Sequence, residues 1–183
     1  MNYLKMYEVF GSPLLSIKDN VDVELMSDIK DNFKIGSNIL EVSCGNGSDS
    51  LYLKKLGYNV KCTELDNGYI NNCLRLGLDC IKHDTKLKFP FISDKFDLVY
   101  SRLGLHYFNE LELDSILSEL SRISKSILIT VKVEKDDFKT GKVILSSDKW
   151  FEIINKYFNI KEFDIKEGKL YGKKSKWIKI FAK

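Results

Sequence analysis

Asn38-Ile39-Leu40-Glu41-Val42-Ser43-Cys44-Gly45-Asn46-Gly47-Ser48 runs from a short apolar segment into a glycine turn, after which Leu51, Leu53 and Leu56 recur at helical spacing until Gly57. The pattern is strand, turn, helix. Glycine at 45 and 47 removes side chains that would hold a ligand away from the backbone, and the next helix aims its first N–H groups back at the turn. The alternation then repeats. Residues 59–65 read as a second strand, followed by a helix with Ile70, Cys73 and Leu74 on one face and Gly77 to end it. Residues 78–83 and 96–100 read as strands three and four. Asn109 with Glu112 forms a capping box ahead of Leu113, Ile116, Leu117 and Leu120. Residues 126–131 are apolar without alternation, as a strand covered on both faces of a parallel sheet must be.

Trp150, Phe151, Ile153, Ile154, Tyr157 and Phe158 follow at helical spacing, and two strands close the chain near 160–165 and 177–181. The stretch 166–176 between them, with Gly168 and Gly172, reads as a loop. It is too short for a crossover helix, so the two strands must pair as a hairpin. The expected architecture is therefore α/β: a doubly wound, mostly parallel seven-stranded sheet between two helical layers, with an antiparallel last strand.

A chain of 183 residues has room for one domain. We expect a single unit over 1–183, with an N-terminal helical segment at 1–34 carrying Leu25, Met26, Ile29 and Phe33, and the core at 35–183. Apolar residues at 44% support a sizeable core and exclude wholesale disorder. No run approaches the length of a membrane helix, and the first residues lack a signal-type apolar stretch, so a cytoplasmic protein is expected. Lys and Arg total 29 against 26 Asp and Glu, a net charge of +3 that calls for no polyanionic partner. The lysines of 166–179 are interspersed with acids and read as a solvated hairpin rather than a phosphate track. Cys44, Cys62, Cys73 and Cys80 match no CxxC knuckle, so reduced, buried thiols and no metal are expected.

An open parallel sheet binds its ligand outside the carboxyl ends of its strands, beside the point where strand order reverses. The residues there are Ser43, Gly45 and Gly47 after strand one, Glu64 closing strand two, Asp84 closing strand three, and Ser101-Arg102 closing strand four. A carboxylate at Glu64 is placed to accept hydrogen bonds from ribose hydroxyls. His83 alternates to the other face and reads as structural. A dehydrogenase is the competing reading, because Gly45-Asn46-Gly47-Ser48-Asp49-Ser50 fits Gly-x-Gly-x-x-Ser. That reading needs a Tyr-x-x-x-Lys pair, which Tyr52-Leu53-Lys54-Lys55 misses by one residue, or a substrate domain for which there is no room.

Residues 39–47 resemble the first motif of class I S-adenosylmethionine-dependent methyltransferases, an acid followed by glycines at alternate positions. Glu41, Gly45 and Gly47 match, and Ser43 stands where the first glycine would be. The resemblance implies S-adenosylmethionine as cofactor, with Glu41, Ser43, Gly45 and Gly47 around the turn. It further implies Glu64 as the ribose acid, Leu65 beside the adenine, Asp84 and Thr85 near the adenine amine, and Ser101 at the tip of strand four. By the same resemblance Tyr7 is a lid or pocket wall.

Residues 101–108, Ser-Arg-Leu-Gly-Leu-His-Tyr-Phe, are similar to a segment of small-molecule methyltransferases, tellurite-resistance-like members included. This implies a small-molecule acceptor, with His106 as candidate general base and Tyr107 beside it. Base-modifying relatives end strand four in Asn/Asp-Pro-Pro-aromatic, whereas this chain has Tyr100-Ser101-Arg102-Leu103, so no nucleic-acid substrate is expected. The segment 134–147 is short and polar where relatives insert substrate-covering elements. The acceptor pocket is then either open or completed by a second copy in a homodimer. A non-catalytic S-adenosylmethionine-binding partner subunit is the alternative from a different functional class.

Overall fold

The structure, a computed structural model, describes residues 22–133, 145–170 and 173–183. Tyr7 lies outside the described residues, as does most of the polar segment 134–147. The first helix, α1 (Val23–Asn32), starts where the Asp22 side chain accepts the Leu25 N–H at 3.2 Å, and it buries Leu25, Met26 and Ile29 completely. It is followed by β1 (Asn38–Val42), α2 (Ser48–Lys55), β2 (Asn59–Glu64), α3 (Asn67–Arg75), β3 (Asp79–Lys82) and β4 (Leu98–Arg102). A single 3₁₀ turn at Leu105–Tyr107 leads to α4 (Glu110–Ile123), then β5 (Ile127–Lys132), α5 (Ser147–Asn155), β6 (Ile160–Leu170) and β7 (Lys173–Ala182).

These strands form one seven-stranded sheet in the order β3-β2-β1-β4-β5-β7-β6. Pairing is parallel except for β7, which runs antiparallel between β5 and β6. Strand order reverses between β1 and β4, so their carboxyl ends flank the crevice where such a sheet takes its ligand. Alternation sends Leu40 and Val42 of β1 into one core with Val99, Ile127 and Ile129, closed by α4 and α5 through Leu113, Leu117 and the fully buried Trp150. Ile39 goes to the opposite core with Leu98, Tyr100 and Leu128 beneath α1. The capping box at the head of α4 forms as expected, with Asn109 N–H to Glu112 and Glu112 N–H to Asn109, both at 3.0 Å. Farther along α4, Arg122 and Glu119 clamp the connector into β4. Arg122 donates to the carbonyls of Phe91 at 2.7 Å and Phe89 at 3.1 Å, while Glu119 accepts the Phe89 N–H.

Three expectations need correction. The stretch 166–176 is mostly strand, because the arms of the hairpin run on to Leu170 and from Lys173. Gly168 faces Ser175 within the ladder, and a Cβ there would come within 2.8 Å of the Trp177 ring, so this glycine marks a close approach and not a turn. Leu74 is 53% exposed; the buried stripe of α3 is Ile70 and Cys73, and one further residue rotates past the edge of that stripe. The fourth strand starts at Leu98 and not at Phe96, which makes only an isolated bridge to Ser124.

Lys179 of β7 is buried under α1 with four carboxylates around its ammonium: Asp28 at 2.8 Å, Asp164 at 3.3 Å, Glu24 at 3.5 Å and Glu162 at 3.6 Å. Burial works against its charge, but the surrounding carboxylates outweigh it and hold the amine above its usual range. Lys179→Met should destabilise the chain by about 1–3 kcal/mol at neutral pH, because Asp28 would keep its burial and lose its partner. The loss should shrink in acid as the carboxylates protonate, which urea unfolding at the two pH values will read.

Candidate active site

At the tip of β1 the chain turns through left-handed backbone at Ser43 (φ 57°), Gly45 (φ 54°) and Gly47 (φ 77°). The Gly47 N–H closes the turn on the Cys44 carbonyl at 3.1 Å, and the Cys44 N–H stays in register with β2 through Thr63 O. The two glycines are needed for different reasons. A Cβ on Gly47 would lie 2.6 Å from Leu78 Cδ1 and 2.8 Å from Cys73 Sγ, so packing forbids it. A Cβ on Gly45 would meet no atom within 4 Å among the described residues; here the conformation demands glycine and the space beside it is open.

Glu64 closes β2 directly beside this turn. One carboxylate oxygen accepts the Gly45 N–H at 2.8 Å, and the other accepts the N–H groups of Leu65 at 2.8 Å and Asp66 at 3.1 Å. Three of roughly four lone-pair positions are thus filled, which fixes the carboxylate and leaves one acceptor direction. Leu65 beyond it is 49% exposed. After β3, Asp84 accepts the Lys86 N–H at 3.0 Å, and the buried Thr85 hydroxyl lies 3.3 Å from that of Ser43. The tips of β1, β2 and β3 therefore form one continuous surface.

The tip of β4 completes it from the other side. Ser101 is fully buried and donates to the Val42 carbonyl at 2.9 Å, tying β4 to β1. Leu103 adopts φ 57°, and the loop then passes so close that a Cβ on Gly104 would lie 2.8 Å from both Ser43 Cβ and Ser101 Oγ. Sequence reasoning did not single out Gly104. Its only signal is a glycine between two leucines just past a strand. His106 follows in the 3₁₀ turn, buried and 4.2 Å from the Tyr107 ring, centroid to centroid. His83, by contrast, packs on the buried Phe89 ring at 4.3 Å, and burial lowers its basicity.

Residues 40–127 match the family model described as a methyltransferase domain. The match runs from within β1 to the first residue of β5 and places a methyltransferase domain there. An S-adenosylmethionine-dependent methyltransferase from Methanosarcina mazei shares the fold with a TM-score of 0.74 at 17% identity, over 85% of this chain and 95% of that one. TehB from Haemophilus influenzae aligns with a TM-score of 0.72 at 18% identity, over 89% of this chain and 62% of its own. The cyclase SpnF has a TM-score of 0.73 at 14% identity, over 87% and 80%. No curated protein matches the chain.

The tips of the strands suit the adenosine half of S-adenosylmethionine, the cofactor that a methyltransferase domain implies. The turn is open beside Gly45, a fixed carboxylate with one free acceptor direction stands next to it, and an exposed leucine follows. Ser43 contributes a side chain where the resemblance places a glycine, and it sits under Gly104.

Beneath the turn the domain buries a charged network. Asp49 of α2 accepts the Tyr100 hydroxyl and the Arg102 Nε–H, each at 2.7 Å. Burial raises the Asp49 carboxyl, and the Arg102 charge opposes that rise. The Arg102 guanidinium loses solvation but gains more from Asp49, so it stays above its usual value. Glu41 is also buried and shares a short hydrogen bond with the Ser50 hydroxyl. Desolvation first, and the Asp49 charge second, push its carboxyl well above the ordinary 4.5. Glu41 therefore ties β1 to α2 through Ser50. A hollow of about 480 Å³ lined by Phe33, Ser37, Asp97 and Lys183 lies at the opposite end of the strands, away from these groups.

Because folding raises the Glu41 carboxyl, the folded chain keeps a proton that the unfolded chain releases as pH climbs past 4.5. Stability then falls with rising pH until the folded group ionises, and stays lower beyond. Glu41→Gln should remove this loss, so its stability relative to the parent should be greater at about pH 8 than at about pH 4, by urea unfolding at both. Ser43→Gly should relieve left-handed strain of about 1 kcal/mol and leave the fold intact, which the same measurement tests.

Proposed function

We propose that this methyltransferase acts on a small-molecule acceptor, with the donor's adenosine held across the tips of β1, β2 and β3. The observation that carries the reading is the Glu64 carboxylate, locked by the Gly45 N–H at the mouth of an open glycine turn. A ribose hydroxyl takes its remaining acceptor direction, and Leu65 and the Asp84-Thr85 corner flank the base. When bound, the donor supplies a methyl group on a cationic sulfur, a transfer that is already downhill. The chain's task is to align donor and acceptor and to exclude water.

The acceptor side is the loop after β4. His106 takes a proton when the acceptor is a hydroxyl or a protonated amine, and Tyr107 shares that wall. Strand four argues against a flipped base as substrate. Tyr100 is fully buried on Asp49, and Arg102 pairs with the same carboxylate, so neither is available as a stacking platform or phosphate clamp. A dehydrogenase is disfavoured by the sheet, whose antiparallel β7 enters between β5 and β6 in place of the wholly parallel order of dinucleotide folds.

Glu64→Ala should weaken binding of S-adenosylhomocysteine by about 1–3 kcal/mol in calorimetry, since it removes the ribose acceptor and the anchor of Gly45 together. An unchanged affinity would refute the assignment. His106→Asn should lower kcat by about 10²-fold or more with cofactor affinity retained, given an acceptor that needs a base. Release of S-adenosylhomocysteine across a panel of hydroxyl, amine, thiol and metalloid acceptors tests the substrate class. Binding without turnover across that panel would instead favour the partner-subunit reading.

A further inference from the structure

The four cysteines come from four separate places in the fold: Cys44 from the turn after β1, Cys62 from β2, Cys73 from α3 and Cys80 from β3. Their spacing in sequence conceals that their sulfurs converge. All four Sγ atoms lie within 4.8 Å of one another, and Cys44 and Cys73 are 3.8 Å apart. We propose that Cys44, Cys62, Cys73 and Cys80 bind a single zinc ion as a tetrahedral tetrathiolate site directly beneath the glycine turn.

Geometry carries this assignment. Bonds of about 2.3 Å in a tetrahedron place the sulfurs about 3.8 Å apart, the separation Cys44 and Cys73 already have. The widest pair needs to close by no more than about 1 Å to reach that spacing, within the reach of side-chain rotation. A polynuclear iron–sulfur cluster shares its four thiolates among several irons and needs a wider cage. A disulfide would use two sulfurs at about 2.05 Å and would give no reason for the other two to converge. Donor chemistry agrees, since an all-thiolate set excludes calcium and magnesium and suits zinc.

The surroundings also fit a structural metal. Cys62 and Cys73 are 1% and 0% exposed, and Leu51, Ile70 and Leu78 pack around the cluster, so water is shut out. The only carbonyl the thiols reach among the described residues is that of Gly45, 3.5 Å from Cys73 Sγ and 3.8 Å from Cys44 Sγ. Gly47 must be glycine partly because Cys73 Sγ stands where its Cβ would be. Cys44 and Cys80, each 7% exposed, form the side from which an ion enters. On binding, four S–H bonds break, four S–Zn bonds form, and four protons pass to solvent. The ion would pin the glycine turn to β2, β3 and α3, which places it as a staple of the floor on which the cofactor rests.

The test uses the whole chain, purified under reducing conditions with any metal-binding tag removed. Elemental analysis should find about one zinc per chain. Stripping with a chelator and refilling with Co²⁺ should produce the strong sulfur-to-metal absorption of tetrahedral cobalt thiolate. Zinc removal should also lower Tm. Cys80→Ser, at the exposed edge, and Cys73→Ser, at the buried centre, should each lose stoichiometric metal. A wild-type chain that retains neither zinc nor cobalt while all four thiols titrate, or that holds a Cys44–Cys73 disulfide in place of metal, overturns the proposal. These readouts need no S-adenosylmethionine, so their failure leaves the methyl-transfer reading untouched.

Discussion

The hydrogen bond from Gly45 N–H to the Glu64 carboxylate, 2.8 Å long, couples the two strand tips on which the site depends. Without it the turn after β1, left-handed at Ser43, Gly45 and Gly47, loses its tie to the end of β2, and the serine among them is strained in that conformation. With it, the carboxylate that is to meet a ribose is set in place by three backbone N–H groups before any ligand arrives. Preorganisation of this kind reduces the ordering cost that binding must otherwise meet.

The same turn is supported from below by groups that never face the crevice. Asp49 and Arg102 neutralise each other across α2 and β4, with Tyr100 donating to the same oxygen. Glu41 reaches Ser50 one residue along the helix. Burying two carboxyls against one guanidinium favours a proton on one of them, and burial pushes the Glu41 carboxyl in that direction. On the far side, the cysteine cluster joins the turn to β2, β3 and α3. The crevice is thus a thin surface over two buried polar assemblies, one charged and one sulfur-based.

Much of this was legible beforehand, and the failures have physical causes. Strand, turn and helix around 38–57 follow from apolar spacing and glycine placement, and the capping box at Asn109 and Glu112 follows from local hydrogen bonding alone. The hairpin arms past 165 were missed because their residues are polar and glycine-containing. What holds them in strand is cross-strand pairing, Glu167 opposite Lys176 and Gly168 opposite Ser175 under Trp177. Leu74 was misplaced because helical periodicity fixes a face only to within about a residue. Gly104 was passed over because the contact that requires it is with Ser43, sixty-one positions earlier.

The sequence by itself determined the order of elements, the doubly wound sheet with its antiparallel strand, the glycine turn and the acid at the end of β2. Those properties rest on periodicity, turn chemistry and spacing, which act over a few residues and are written along the chain. Only the tertiary structure decided which side chains meet: that Glu64 grips Gly45, that Glu41 meets Ser50, and that four scattered cysteines share one small volume. Such encounters depend on which strands become neighbours and on how far each helix turns before it packs. Neither quantity has a local signature, because both are settled by burial of the whole core at once.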